Sequence, residues 1–320
     1  MMRKLLCCFC ILGLPFSAYA QSDTFYQYRY LGEQLISSFA EDAPHSFWVS
    51  TYDGIFRYDL ALDSLYTFRP YDGQRGHAFT DLLFDREGNL WASGRSVLVK
   101  FDGSDWYSLP IKKDSDYLVG LARDSRNNIW VSGGLGNWSP FVLRIAGDRS
   151  TYFDSDDGLI QDRITALLVD HLDQVWTTTE WGINVYADER WQTIDSVQGE
   201  SLFKLNGLCE DGTGNVWITS ELNEIFKADP DKLILEVIKP PSPLGELRHV
   251  ACRGDEVWVA SQREIAHYED GIWMRHPELT QSPDVVIVYF GFSQRGDVVL
   301  GTSKGLTIME RKQEDASSLR

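Results

Sequence analysis

The sequence predicts an all-β protein, a single closed seven-bladed β-propeller of four-stranded antiparallel blades. Three observations carry that expectation. A tryptophan returns behind the same polar turn at Trp48, Trp91, Trp130, Trp176, Trp217 and Trp258, and Val299 takes its place in a seventh copy. Steps of 43, 39, 46, 41, 41 and 41 residues make this a repeat architecture. A second aromatic, at Trp106, Trp191 and Trp273, follows 15 residues after Trp91, Trp176 and Trp258. An aromatic at a fixed place on two strands suits sheets packed face to face. Finally, the last copy lacks a fourth strand, while an extra strand at about 24–31 precedes the first copy. Moving that N-terminal strand onto the last blade closes the ring and removes two exposed edges.

Within a copy the elements follow in order. Residues 162–170 (DRITALLVD) read as a first strand and QVWTTT as a second carrying the tryptophan. After the turn TEWG come INVYAD and RWQTI as third and fourth strands. Each run is short, rich in β-branched and aromatic residues, and bounded by Gly, Asp or Asn. The pairs Gly88-Asn89 and Gly214-Asn215 suit positive φ in tight hairpins. Helical spacing is sustained nowhere after the leader.

Residues 1–20 read as a secretory leader, with Arg3 and Lys4, the apolar LLCCFCILGLPF, and cleavage expected between Ala20 and Gln21. The domain organisation expected is therefore a signal peptide at 1–20, a propeller at 21–312 and a disordered tail at 313–320. A periplasmic or secreted protein follows, not an integral membrane protein, since no later stretch is long and apolar enough to span a bilayer. The net charge is −17, and more negative once Arg3 and Lys4 leave. No basic stripe offsets it, which argues against nucleic acid as a partner. Cys209 and Cys252 fall at the same place in neighbouring copies. Two buried free thiols are the favoured expectation, and a disulfide the alternative.

The stretch DGLIQDRITALLVDHLDQVWTTTEWGINVY is similar to the repeat of the two-component-regulator propeller family. The resemblance extends over nearly the whole chain after the leader. It is strongest at 170–182, 211–220, 85–93 and 124–132, and weak in the first and sixth copies. The resemblance implies a periplasmic ligand-sensing propeller, of the kind commonly joined to membrane histidine kinases and often sensing carbohydrates. No kinase or membrane segment follows the repeats in this sequence, so a sensor role implies a separate partner such as a membrane sensor protein. Streptogramin lyases look similar in having seven blades and tryptophan-containing repeats, and they supply an enzyme alternative.

No catalytic, metal or cofactor motif is present. The six histidines show neither HxH nor HExxH spacing, and there is no GxSxG. The repeated Asp85, Asp124, Asp170 and Asp211 are read as turn residues that accept hydrogen bonds from their own hairpins, because a catalytic group is needed only once. A non-enzymatic role is therefore expected.

Binding residues are sought where the repeats break their own pattern. The turns between second and third strands, and the links between blades, should share one face around a central channel. That face is expected to present Tyr52, Arg95, Trp138, Glu180, Trp181 and Arg263, with Tyr71 and His77 from a link. Aromatic planes beside Arg and Glu suit a small-molecule or glycan ligand, a peptide, or an envelope protein. An interaction scaffold for an envelope complex leaves the same signature. The lyase alternative would pair His77 with Glu180 or Glu221.

Overall fold

The computed structural model describes residues 25–32, 34–43, 46–68, 78–111, 115–135, 139–160, 162–240 and 242–311. The leader and the expected tail lie outside them. Seven four-stranded antiparallel sheets follow one another in chain order. The fourth blade shows the unit, with strands Ile164–Val169, Val175–Thr179, Gly182–Ala187 and Arg190–Ile194 running from the channel outwards. The seventh sheet consists of Ile287–Phe292, Val298–Thr302, Gly305–Arg311 and the N-terminal strand Phe25–Tyr30. That last strand pairs antiparallel from Phe25 opposite Arg311 to Tyr30 opposite Leu306, so the ring closes as expected. Among the described residues the helical elements are two short 3-10 turns, Ser155–Asp157 and Pro277–Leu279. A small hairpin, Ser196–Val197 with Glu200–Ser201, is an addition between blades 4 and 5 that the repeat pattern did not announce.

The recurring tryptophans are core. Trp176, Trp217 and Trp258 are among the largest fully buried side chains, and each sits in a cluster that joins two blades. The turn aspartates explain why the indole recurs. Asp85 Oδ1 accepts from the Asn89 backbone N–H at 2.8 Å, closing the hairpin, and Asp85 Oδ2 accepts from Trp91 Nε1 at 3.0 Å. Asp42, Asp124, Asp170 and Asp211 bind the indoles of Trp48, Trp130, Trp176 and Trp217 at 2.7 to 3.1 Å. The glycines take positive φ as expected, 84° at Gly88 and 85° at Gly214, but the asparagines after them do not. Asn89 and Asn215 instead donate side-chain amides to Asp85 and Asp211.

The fourth-strand tryptophans tie each blade to the one before. Trp106 stacks on Phe101 at 4.9 Å and reaches Phe68 of blade 1 at 6.1 Å. Trp191 meets Phe153 of blade 3 edge-on at 5.9 Å. Cys209 and Cys252 are joined in a disulfide between the inner strands of blades 5 and 6, which corrects the expectation of free thiols. Neighbouring blades share the strand position, and that brings the two Cα atoms to 5.7 Å.

At the inner edge a bulge sets the second residue of most inner strands out of register. There Ser37, Thr80, Thr165 and Asn206 donate side-chain hydrogen bonds to the carbonyls of Phe79, Leu118, Leu205 and Leu247 in the next blade, at 2.6 to 2.8 Å. His249, one residue further along its strand, bonds the backbone of Ile287. Val119 and Val288 occupy the bulge in blades 3 and 7, where a side chain has nothing to donate. In blade 3 this leaves the Ser132 hydroxyl buried without a partner.

Candidate functional site at the channel mouth

The turns and links do share one face. Turn and link backbones bond directly: Arg95 N–H to the Ala78 carbonyl at 3.0 Å, Lys204 N–H to Glu180 at 2.7 Å, Gln281 N–H to Arg263 at 3.0 Å, and Ser303 N–H to Val286 at 2.9 Å. In blade 4 the turn is held from inside. Thr179 Oγ1 donates to the Gly182 carbonyl at 3.0 Å and accepts from Trp181 N–H at 3.1 Å. Gly182 has φ 144°, and a Cβ there would lie 2.7 Å from the Ile194 carbonyl oxygen. The turn is therefore fixed, and it projects Trp181 outward with 56% of its surface exposed. The indole leans on Phe203 of the following link, with ring centres 4.4 Å apart. Blade 1 repeats the device with Thr51 and Gly54, presenting Tyr52.

At the inner edge of each blade one residue directly precedes the first buried position, on the side of the loop face. In blades 3 to 6 it is Tyr117, Arg163, Lys204 and Glu246, whereas blades 7, 1 and 2 place Val286, Leu35 and Ala78 there. At this position blades 3 to 6 are charged or aromatic, and blades 7, 1 and 2 are apolar. Along the charged arc, Arg163 pairs with Glu180 at 3.3 Å. Glu221 lies between Lys204 at 3.9 Å and Arg248 at 3.8 Å, and Arg248 reaches Glu246 at 3.0 Å. The Tyr117 hydroxyl is pushed above its ordinary value by burial and then by Tyr52, with Arg163 opposing. Tyr117 thus lies within electrostatic reach of Tyr52 and of Arg163.

Of the expected residues, Glu180 and Trp181 lie in the blade 4 turn on this arc, and Tyr52 lies in the corresponding turn of blade 1 on the same face. Arg95 lies on the same face in blade 2. Arg263 is also on it, but its guanidinium donates to the Pro283 carbonyl at 3.0 Å in the link to blade 7. Trp138, Tyr71 and His77 lie outside the described residues. The sequence reading did not select Tyr117, Phe203, Lys204, Arg248 or Glu246. Tyr117, Lys204 and Glu246 share one signal, a place directly before the first buried residue at the inner edge of their blades. A polar cavity of about 460 Å³ lies further out on this face, lined by Glu278, Gln281, Asp284, Thr302 and Lys304 among others. Among the described residues no three His, Cys, Asp or Glu side chains are grouped to hold a metal ion.

The fold is shared with solved structures. A streptogramin B lyase aligns over 92% of this chain and 100% of its own, with a TM-score of 0.76 and 13% identity. The extracellular domain of a putative one-component system from B. thetaiotaomicron aligns over 91% of this chain and 40% of that one, with a TM-score of 0.70 and 17% identity. YCF48 bound to D1 peptide aligns over 94% of this chain and 100% of its own, with a TM-score of 0.68 and 13% identity. At such identities the likeness is one of fold alone. No protein-family model and no curated protein matches the sequence. Among the described residues no helix is long and apolar enough to cross a membrane.

Proposed function

We propose that this chain is an exported, non-enzymatic propeller that binds a glycan or peptide ligand, or an envelope protein, at the mouth formed by its loop face. The observation that carries this reading is exposed Tyr117 and Trp181 beside the paired charges of Arg163, Glu180, Lys204 and Glu221, with exposed Tyr52 of blade 1 on the same face. Aromatic faces on fixed turns lose little entropy when covered, and paired charges can exchange partners with ligand hydroxyls or amides. The Cys209–Cys252 disulfide supports an oxidising compartment and hence export. Extracellular sensor domains and a peptide-bound propeller among the fold neighbours support a binding role by analogy.

A lyase is the second reading, favoured by the streptogramin B lyase neighbour. Glu180 and Glu221, its expected acid–base groups, are engaged by Arg163 and by Lys204 with Arg248. The test is a glycan and peptide binding screen with residues 21–320, followed by turnover assays on each hit with wild type and His77→Ala. Binding without turnover supports the module. Turnover that His77→Ala removes without unfolding would replace it with the enzyme.

A further inference from the structure

One third-strand position shows where blade 7 departs from the packing that most blades share. It is paired with the residue after the recurring tryptophan, and it faces the preceding blade. Phe56, Val99, Leu143, Phe226 and Ala266 hold it in blades 1, 2, 3, 5 and 6. Phe226 of blade 5 packs with Trp176 of blade 4 and with Leu202 of the link, so that space is filled. Blade 4 has Asn184 there, and its own link satisfies it, because Asn184 Oδ1 accepts from Ile160 N–H at 2.8 Å. Blade 7 has Thr307, paired with Leu300. Thr307 instead lines the cavity of about 460 Å³, which lies between blade 7 and the link from blade 6.

The wall opposite Thr307 is fixed. Leu279 of the 3-10 turn Pro277–Leu279 is buried in one cluster with Trp258 and Leu300. Gln281 N–H donates to the Arg263 carbonyl at 3.0 Å, and the Arg263 guanidinium donates to the Pro283 carbonyl at 3.0 Å. Val285 N–H closes a turn onto the Ser282 carbonyl at 2.9 Å. A wall held in this way loses little freedom when a ligand is bound.

Polar groups of both signs line the space. Glu278 Oε1 accepts from His276 Nδ1 at 2.8 Å and Asp284 Oδ1 from the Ser282 hydroxyl at 2.6 Å, which leaves the second oxygen of each carboxylate. Gln281 Nε2 donates to the Leu279 carbonyl at 2.7 Å, which leaves its amide oxygen. Lys304, in the turn between second and third strands, supplies an ammonium within electrostatic reach of Asp284. Among the described residues no aromatic ring lines the cavity, so it lacks the flat face on which a sugar stacks. Its volume is that of a small-molecule site.

We propose that this cavity binds a small zwitterion, a free α-amino acid or a dipeptide, with the carboxylate on Lys304 and the ammonium on Glu278 and Asp284. The site is separate from the aromatic mouth and takes its own ligand. Both ends of a zwitterion make charge-assisted hydrogen bonds there, whereas a neutral polyol would desolvate the same charges without neutralising them.

The test is calorimetric titration of residues 21–320 with the common L-α-amino acids and with glycylglycine. At least one should bind. Its methyl ester and its N-acetyl form, which each lack one of the two charges, should bind roughly tenfold more weakly or worse, as should the parent ligand to Lys304→Gln. Thr307→Phe, which sets the blade 5 side chain in the cavity, should abolish binding. Lys304 is exposed, so Lys304→Gln decides the matter even if Thr307→Phe fails to fold. Binding by no member of the panel, equal affinity for glucose, or undiminished affinity in Lys304→Gln would overturn the proposal. Binding lost in Trp181→Ala and kept in Lys304→Gln would set the zwitterion at the mouth, overturning this site while sparing the other.

Discussion

The indole nitrogen of Trp176 donates to Asp170 Oδ2 at 2.8 Å, and both residues are buried. The contact joins the turn at the base of a blade to the core between blades, and it recurs in blades 1, 2, 3 and 5. The environment tunes it. Burial raises the Asp170 carboxyl, and Glu210 adds to the rise. In blade 5 burial also pushes Asp211 upward, but Thr213, Trp217 and Asn215 donate enough hydrogen bonds to hold it below its ordinary value.

Replacing Asp170 by Ala should therefore do more than loosen a turn, since it leaves a buried indole N–H without an acceptor. The expected cost is about 1–3 kcal/mol, read as a lower denaturant midpoint. Asp170→Asn keeps an acceptor and should cost less.

The valine at the blade 3 bulge offers the opposite change. Val119→Thr has nearly the same shape and would present a hydroxyl to both the Ser132 hydroxyl and the Ile164 carbonyl of the next blade. A gain of about 0.5–1.5 kcal/mol is expected, visible as a higher melting temperature. A loss would mean that the added hydroxyl finds no partner.

His249 makes stability depend on pH. Burial lowers its pKa from 6.5 to about 4, Arg248 adds to this, and the bond to Ile287 opposes it. As pH falls the unfolded chain takes up this proton near 6.5, and the folded chain not until about 4. The contribution is thus fully present above pH 6.5 and lost progressively towards pH 4. It amounts to at most about 3 kcal/mol, reduced by the solvent His249 still meets at the channel edge. Denaturant titrations of wild type and His249→Gln should differ in slope within that window and run parallel above it.

The disulfide closes a loop spanning 43 residues of sequence separation. Reducing it, or replacing both cysteines by serine, should cost roughly 2–4 kcal/mol, measured by thermal unfolding with and without reductant.

Periodicity made the architecture legible, because a residue required in every blade repeats at a fixed step. Trp91, Trp176 and Trp258 therefore announced the sheets, and the unmatched strand at the N-terminus announced the closure. The site was legible only in part. Trp181 and Tyr52 stood out as aromatics inside turns. Lys204 and Arg248 read as ordinary surface charges until the ring set them beside Glu221. Cys209 and Cys252 shared a register that sequence showed, but the distance between neighbouring blades decided their pairing.

The most direct test of the binding account is ligand affinity at the mouth. A ligand from the glycan and peptide screen should be titrated calorimetrically against wild type and against Tyr52→Ala/Trp181→Ala. These side chains are largely exposed, so the variant should keep the wild-type melting temperature. Loss of about 1–3 kcal/mol of binding free energy per aromatic is the predicted result. Undiminished affinity in the folded double variant would contradict a binding site at the channel mouth.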